Sequence, residues 1–89
     1  MKYSILFSKK FKKDISKLDK TDYKLLKKWI KKHLLQTEDP RTCGKLLSGQ
    51  LKGLWIYKAG NYRLIVEIED EKFIIIAIEF GLRDKIYNK

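Results

Sequence analysis

Arg63, Arg83 and Tyr87 are the side chains in this 89-residue sequence best suited to chemistry. The other reactive types are sparse. The one histidine, His33, lies late in a lysine-rich stretch, a position off the apolar stripe, with no partner at useful spacing. The one cysteine, Cys43, has no histidine near it in sequence to activate it as a nucleophile. A single cysteine also makes no internal disulfide or zinc knuckle. Glu67, Glu69, Asp70 and Glu71 bracket a turn and read as a solvated cluster, so neither a metal nor a cofactor is expected. A cation-rich surface with few titrating bases suits one reaction: cleavage of RNA by the strand's own 2′-hydroxyl. The ribose supplies the nucleophile. The protein must align it, stabilise a dianionic transition state and move two protons. Arginines and lysines do the first two jobs electrostatically. A tyrosine, a lysine or a carboxylate takes part in the third.

The same residues admit plainer roles. Arg63 can pair with Glu79 across two strands, Tyr62 can be core, and Tyr87 can cap a sheet edge. Charge weights the choice. The chain carries 21 Lys and Arg against 11 Asp and Glu, a net +10, which favours a polyanionic partner. Residues 1–45 hold +9 of it and residues 46–89 only +1. Only Arg41, Arg63 and Arg83 are arginines, against 18 lysines. A guanidinium offers a flat, permanently charged fork for phosphate that lysine does not copy, so each arginine carries more information.

These residues must be positioned by a small fold. The length suits one domain over residues 1–89, since two would each fall below the size that holds a core unaided. The longest apolar run, Phe73 to Ile78, is far short of the roughly 20 residues that cross a bilayer. The start, Met1 to Phe7, runs into lysines and lacks the form of a secretory signal. A cytoplasmic protein without membrane contact is expected. Residues 2–7 read as a strand. Ser8 is a plausible N-cap for a helix from Lys9 to about Leu18, with Phe11, Ile15 and Leu18 as its stripe. A second helix is predicted from about Asp22 to Leu35. It would bury Leu26, Trp29, Ile30 and Leu34, with Tyr23 and Leu25 widening the stripe. Residues 40–53 suggest a loop with one helical turn at Gly44 to Leu47. The period then changes to two. Leu54 to Lys58 is predicted as a strand, Ala59-Gly60-Asn61 as a turn and Tyr62 to Glu69 as a strand. Lys72 to Phe80 forms the most apolar strand, Gly81 breaks it, and Leu82 to Lys89 is a tail. The order β-α-α-β-β-β makes an α+β fold. Its antiparallel meander gains the first strand at one edge, two helices cover one face, and the other face is open for a ligand. Adjacent antiparallel strands would bring Arg63, near the start of one, beside Arg83, after the end of the other.

At this point the sequence resembles a known family. The residues are Asp39-Pro40-Arg41, Gly44-Lys45-Leu46, Gly49, Leu51, Gly53, Trp55-Ile56-Tyr57, Gly60-Asn61-Tyr62-Arg63 and Gly81-Leu82-Arg83-Asp84-Lys85-Ile86-Tyr87. Their order is similar to that of the RelE/ParE superfamily of toxins from type II toxin–antitoxin pairs, over nearly the whole chain. The resemblance implies a RelE-like fold and a metal-free mRNA endoribonuclease that acts in the ribosomal A site. Arg63 and Arg83 fall on the family's two phosphate-facing arginines and Tyr87 on a tyrosine near the nucleophile, while Lys45, Lys52, Lys58 and Arg41 would bind RNA. It further implies a cognate antitoxin, ribosome and mRNA as partners, with operator DNA reached only through the antitoxin complex. The sequence departs where many relatives have histidine and this chain has Leu82, so that imidazole base is missing. Two other readings follow from the family: a ParE-like inhibitor of DNA gyrase, and a weakened, binding-only toxin acting with its antitoxin as co-repressor.

Overall fold

The structure, a computed structural model, describes residues 2–42, 44–46 and 54–87, excepting the side chains of Lys85 and Tyr87. Its elements run β1 (Ser4–Phe7), α1 (Lys9–Ile15), α2 (Lys20–His33), β2 (Gly44–Leu46), β3 (Trp55–Ala59), β4 (Tyr62–Glu69), β5 (Ile74–Leu82) and α3 (Arg83–Tyr87), with a single 3-10 turn between β4 and β5. The strands form one sheet in the order β1-β5-β4-β3-β2. β1 pairs with β5 in parallel, and β2 through β5 pair antiparallel.

α1 starts after Ser8 as its cap predicts, while α2 starts at Lys20, two residues before the predicted Asp22, with Asp19 as its cap. The Ser8 hydroxyl accepts from the Phe11 N–H at 3.1 Å, and Asp19 Oδ1 accepts from the Asp22 N–H at 2.7 Å, so each helix begins with an orphan donor satisfied. Both helices lie on one face of the sheet. Phe11 of α1, Leu26 and Ile30 of α2 and Leu34 at its C-cap bury against Tyr57, Leu64, Val66, Ile75, Ala77 and Phe80. The stripe on α2 is narrower than predicted. Leu25 is 60% exposed and Tyr23 39% exposed. Leu25 sits one residue, about 100°, off the buried row. The Tyr23 ring instead lies 5.5 Å from the Lys27 ammonium.

Residues 44–46 are a strand and not the helical turn that the sequence suggested. Gly44 lies opposite Tyr57, and a Cβ there would stand 2.8 Å from the tyrosine ring. Only glycine lets β2 approach this closely. Tyr57 is fully buried and its hydroxyl donates to the Pro40 carbonyl, which ties the entry to β2 against the core. Gly81 does not break β5, which continues to Leu82. Ile86 of α3 folds onto the strand beside it, its Cδ1 3.5 Å from where a Cβ at position 81 would stand, an ordinary van der Waals contact that does not itself demand glycine. The expected tail is therefore α3 from Arg83 to Tyr87. It covers part of the face away from α1 and α2, where Ile86 packs with Ile56 and Ile65.

Candidate functional site

The hairpin joining β3 to β4 sets the site. Ala59 pairs with Tyr62, so Gly60 and Asn61 alone make the turn, and Gly60 has φ +64°, a conformation that glycine adopts at no steric cost. That pairing fixes Lys58 directly opposite Arg63. Strand alternation puts both on the far face, with Ile56 and Ile65, while Tyr57, Tyr62, Leu64 and Val66 face the helices. Two cations directly opposed in a sheet repel each other, so this pairing does not serve stability. Lys45 lies opposite Ile56 and extends the same face at the β2 edge, exposed to solvent.

Arg63 is 7% exposed. Its Nη1 donates to the carbonyls of Gly60 at 3.0 Å and Tyr62 at 2.8 Å. Its Nε is buried without a partner. The expected ion pair with Glu79 is not among the ion pairs of the described residues; Arg63 lies opposite Gly81, and Glu79, opposite Ile65, is its diagonal neighbour. Both Nη1 hydrogens go to carbonyls, and the edge made by Nε and Nη2 has no acceptor among the described residues. That edge is the side-on fork with which arginine grips a phosphate or carboxylate. A buried cation with no acid beside it is costly, and an arriving anion would offset that cost.

Arg83 opens α3 at the same end of the sheet. Tyr62 pairs with Leu82, and the Arg83 N–H reaches the Asn61 carbonyl at 3.0 Å. The backbones that carry Arg63 and Arg83 therefore meet across the hairpin, as the antiparallel order predicted. The Arg83 side chain is exposed, and among the described residues no carboxylate pairs with it. Tyr87 closes α3 one helical turn later, its side chain outside the described residues. Lys52 and Cys43 also lie outside them.

Arg41 stands elsewhere. Its Nη1 and Nη2 grip Asp70 Oδ1 and Oδ2 at 2.9 and 2.8 Å, and its guanidinium lies 5.5 Å from the Trp55 ring centroid. The Tyr3 hydroxyl donates to the same Asp70 oxygen at 2.6 Å. These bonds, Arg41's first, hold the Asp70 carboxyl below the usual carboxylate range. The cluster ties the approach to β2 to the β4–β5 turn. The His33 ring lies against Trp29, centroids 4.8 Å apart and tilted by 41°, on the helix side. Among the described residues, no group of three or more His, Cys, Asp or Glu is placed to hold a metal ion. No helix among them is long and apolar enough to cross a membrane.

The cation-bearing end of the sheet gives the geometry, and sequence comparison gives the kinship. Residues 5–87 match the family model described as the ParE toxin of the type II toxin–antitoxin system parDE. The chain belongs to that family. No curated protein sequence matches it. Among solved structures, the toxin resembles a chain of the RelBE2 toxin–antitoxin complex of Mycobacterium tuberculosis, with a TM-score of 0.84 over 93% of each chain. At 24% identity that likeness speaks for the fold alone. It is 29% identical to a chain of the intact Escherichia coli RelBE complex, covering 90% of this chain and 95% of that one, at a TM-score of 0.71. The isolated Escherichia coli RelE toxin is 28% identical over 97% of this chain and 92% of its own, at 0.70. The chain is thus a toxin of the RelE/ParE superfamily, in a type II toxin–antitoxin system.

Sequence reasoning missed two contributors. The Lys58–Arg63 opposition was available from the turn, since a two-residue hairpin fixes its flanking pairs. Asp14 gave no sequence signal, because its partner is a backbone N–H 66 residues away.

Proposed function

We propose that this toxin is a ribosome-dependent, metal-free mRNA endoribonuclease that cuts within the A site and is silenced by a cognate antitoxin. The observation that carries the reading is the buried Arg63 guanidinium, with no acid beside it, facing Lys58 at the sheet end where Arg83 emerges. In the reaction the 2′-oxygen attacks the adjacent phosphorus, the bond to the 5′-oxygen breaks, and a cyclic phosphate and a 5′-hydroxyl result. One proton leaves the 2′-oxygen and one reaches the 5′-oxygen. Arg63 and Arg83 hold the phosphate and take up its growing charge. Lys58 adds to the field and Tyr87 takes part in proton transfer. Lys45 and Lys52 hold RNA further along the face. Arg41 can join them only by sharing or releasing Asp70.

The Mycobacterium tuberculosis and Escherichia coli structures are toxin–antitoxin complexes. A net +10 suits an acidic antitoxin segment as well as ribosomal RNA. Primer extension on an mRNA under cell-free translation tests the reading. Cuts inside A-site codons are expected with the wild type and not with Arg83→Ala. Intact mRNA beside an active control toxin overturns it. The family model is ParE's, which favours gyrase inhibition as the second reading, so supercoiling by gyrase is assayed next.

A further inference from the structure

α1 does for the end of β5 what β1 does for its beginning. β1 pairs with β5 as far as Phe7 and Ala77, and the Ser8 N–H meets the Ala77 carbonyl at 2.9 Å. Beyond that point β5 carries a register slip. Ile65 lies opposite Glu79 and Val66 opposite Ala77, which leaves Ile78 without a partner. Two backbone groups of the slip are met by side chains from α1 and its cap. Ser8 Oγ donates to the Ile78 carbonyl at 2.9 Å, and Asp14 Oδ2 accepts from the Phe80 N–H at 3.0 Å. Asp14 is itself held, its side chain 10% exposed and its Oδ1 2.8 Å from the Lys10 ammonium. It is the one acid in the sequence KKFKKDI of α1.

The slip decides where the site residues go. Side chains alternate along a strand, so one extra residue exchanges the faces of everything beyond it. With the slip, Phe80 joins the core, Gly81 faces Arg63, and the Arg83 N–H reaches Asn61. Without it, pairing continued from Val66 and Ala77 would set Glu79 against Leu64 in the core and Phe80 opposite Arg63. Arg83 would then fall opposite Gly60, one place along the turn.

We propose that Asp14, assisted by Ser8, is a positioning residue for the candidate site: it holds the slipped register of β5 and so places Arg83 beside the hairpin that carries Arg63. The assignment rests on the reading of that end of the sheet as the functional site. Asp14 touches no RNA in this role. It acts through the Phe80 amide.

The test uses the full chain, isotope-labelled, as wild type, Asp14→Ala, Asp14→Asn and Ser8→Gly. Amide hydrogen exchange is read by NMR and mRNA cleavage by primer extension. Asn keeps an oxygen acceptor for the Phe80 amide. Gly keeps most of the N-cap preference of Ser8 and removes the hydroxyl. Asp14→Ala is expected to speed exchange at Phe80 and Arg83 about tenfold, with the β3–β4 amides unchanged. Cleavage falls about tenfold, as a misplaced contact group requires, and Asp14→Asn recovers both. Uniform acceleration across the sheet, Asp14→Asn no better than Asp14→Ala, or unchanged exchange at Arg83 overturns the proposal. Should Asp14→Ala not fold, Ser8→Gly carries the test through a smaller change at the same amides, and no change there is the overturning result. If wild-type protein leaves mRNA intact, the nuclease reading fails, and exchange at Phe80 and Arg83 still decides whether Asp14 holds the register.

Discussion

Replacing Arg63 with methionine separates what the site needs from what the fold needs. In the folded chain Arg63 is 7% exposed, donates two hydrogen bonds from Nη1 and leaves its buried Nε with none. Two bonds from a charged donor contribute about 1.5–3 kcal/mol each, or about 3–6 together. Against them stand the desolvation of a buried charge, several kcal/mol, and an unpaired donor, about 1–3 kcal/mol. Terms of similar size and opposite sign leave a net within about 2 kcal/mol of zero. Methionine is long, unbranched and free of strong polar atoms, so it fills most of the vacated volume. Arg63→Met is therefore expected to change the unfolding free energy in urea by less than about 2 kcal/mol. A large-to-small truncation at a site of equal burial costs about 2–5 kcal/mol.

Activity should behave differently. Removing one donor aimed at developing charge lowers a rate by about 10²–10³-fold. Urea titrations followed by fluorescence of Trp29 and Trp55, beside primer extension on translated mRNA, read both quantities on the same preparations. A stability loss above about 3 kcal/mol would show that the guanidinium exists to hold the Gly60 and Tyr62 carbonyls. Cleavage retained within about threefold would show that the phosphate is held elsewhere. Either result refutes the reasoning.

The remaining predictions concern the fold. Asp70 has a folded-state carboxyl below its unfolded value, because of Arg41 and then Tyr3. Its contribution is complete above the unfolded value, near pH 4, and is lost as pH falls through the folded one. The thermal advantage of wild type over Asp70→Asn should therefore narrow between pH 7 and pH 3. The Tyr62 phenol is held above its ordinary value, first by its 2.8 Å hydrogen bond to Asp22 and then by burial. That contribution is present below about pH 10 and is lost as pH rises through the folded value. Tyr62→Phe should flatten part of the alkaline loss of stability, to which Tyr3, raised by Asp70, and Lys10, raised by Asp14, contribute in the same sense. Gly44→Ala drives a methyl to within 2.8 Å of the buried Tyr57 ring. It should cost about 1–3 kcal/mol, read as a lower urea midpoint at unchanged slope.

Where local rules decide the structure, the sequence was legible. Ser8 announces the start of α1 through the donor it satisfies, and Asp19 caps α2 two residues before the predicted start. Tyr62, Leu64, Val66 and Ile68 announce the buried face of β4 by alternation. That the backbones of Arg63 and Arg83 share one end of the sheet follows from antiparallel order, which depends only on the strands being neighbours. Long-range closures were not legible. β2 exists because Gly44 allows a strand to lie against Tyr57, and three residues carry no period to detect. Gly81 reads locally as a breaker, yet its pairing with Arg63 of the neighbouring strand carries β5 on to Leu82. The slip at Ile78 depends on a helix far away in sequence, and alternation read through it would put Glu79 in the core in place of Phe80.

The position of Leu82 bears on the two target readings. An imidazole missing from this position first suggests lost nuclease chemistry. Yet Leu82 pairs with Tyr62, on the helix side of the sheet, and lines a cavity of about 320 Å³ with Lys10, Lys17 and Leu18. Arg63 and Lys58 point from the other face. A side chain at position 82 thus opens onto α1 and not onto the Arg63 fork. Under the proposed nuclease reading, proton transfer would fall instead to Tyr87 of α3, with Lys58 adding to the field. The absence of histidine removes one route to a base without touching the two features that concentrate charge: an arginine buried without an acid, and a lysine set opposite it by a two-residue turn. Neither feature helps the sheet to fold, and both have a physical reason to persist if an anion must be held at this end.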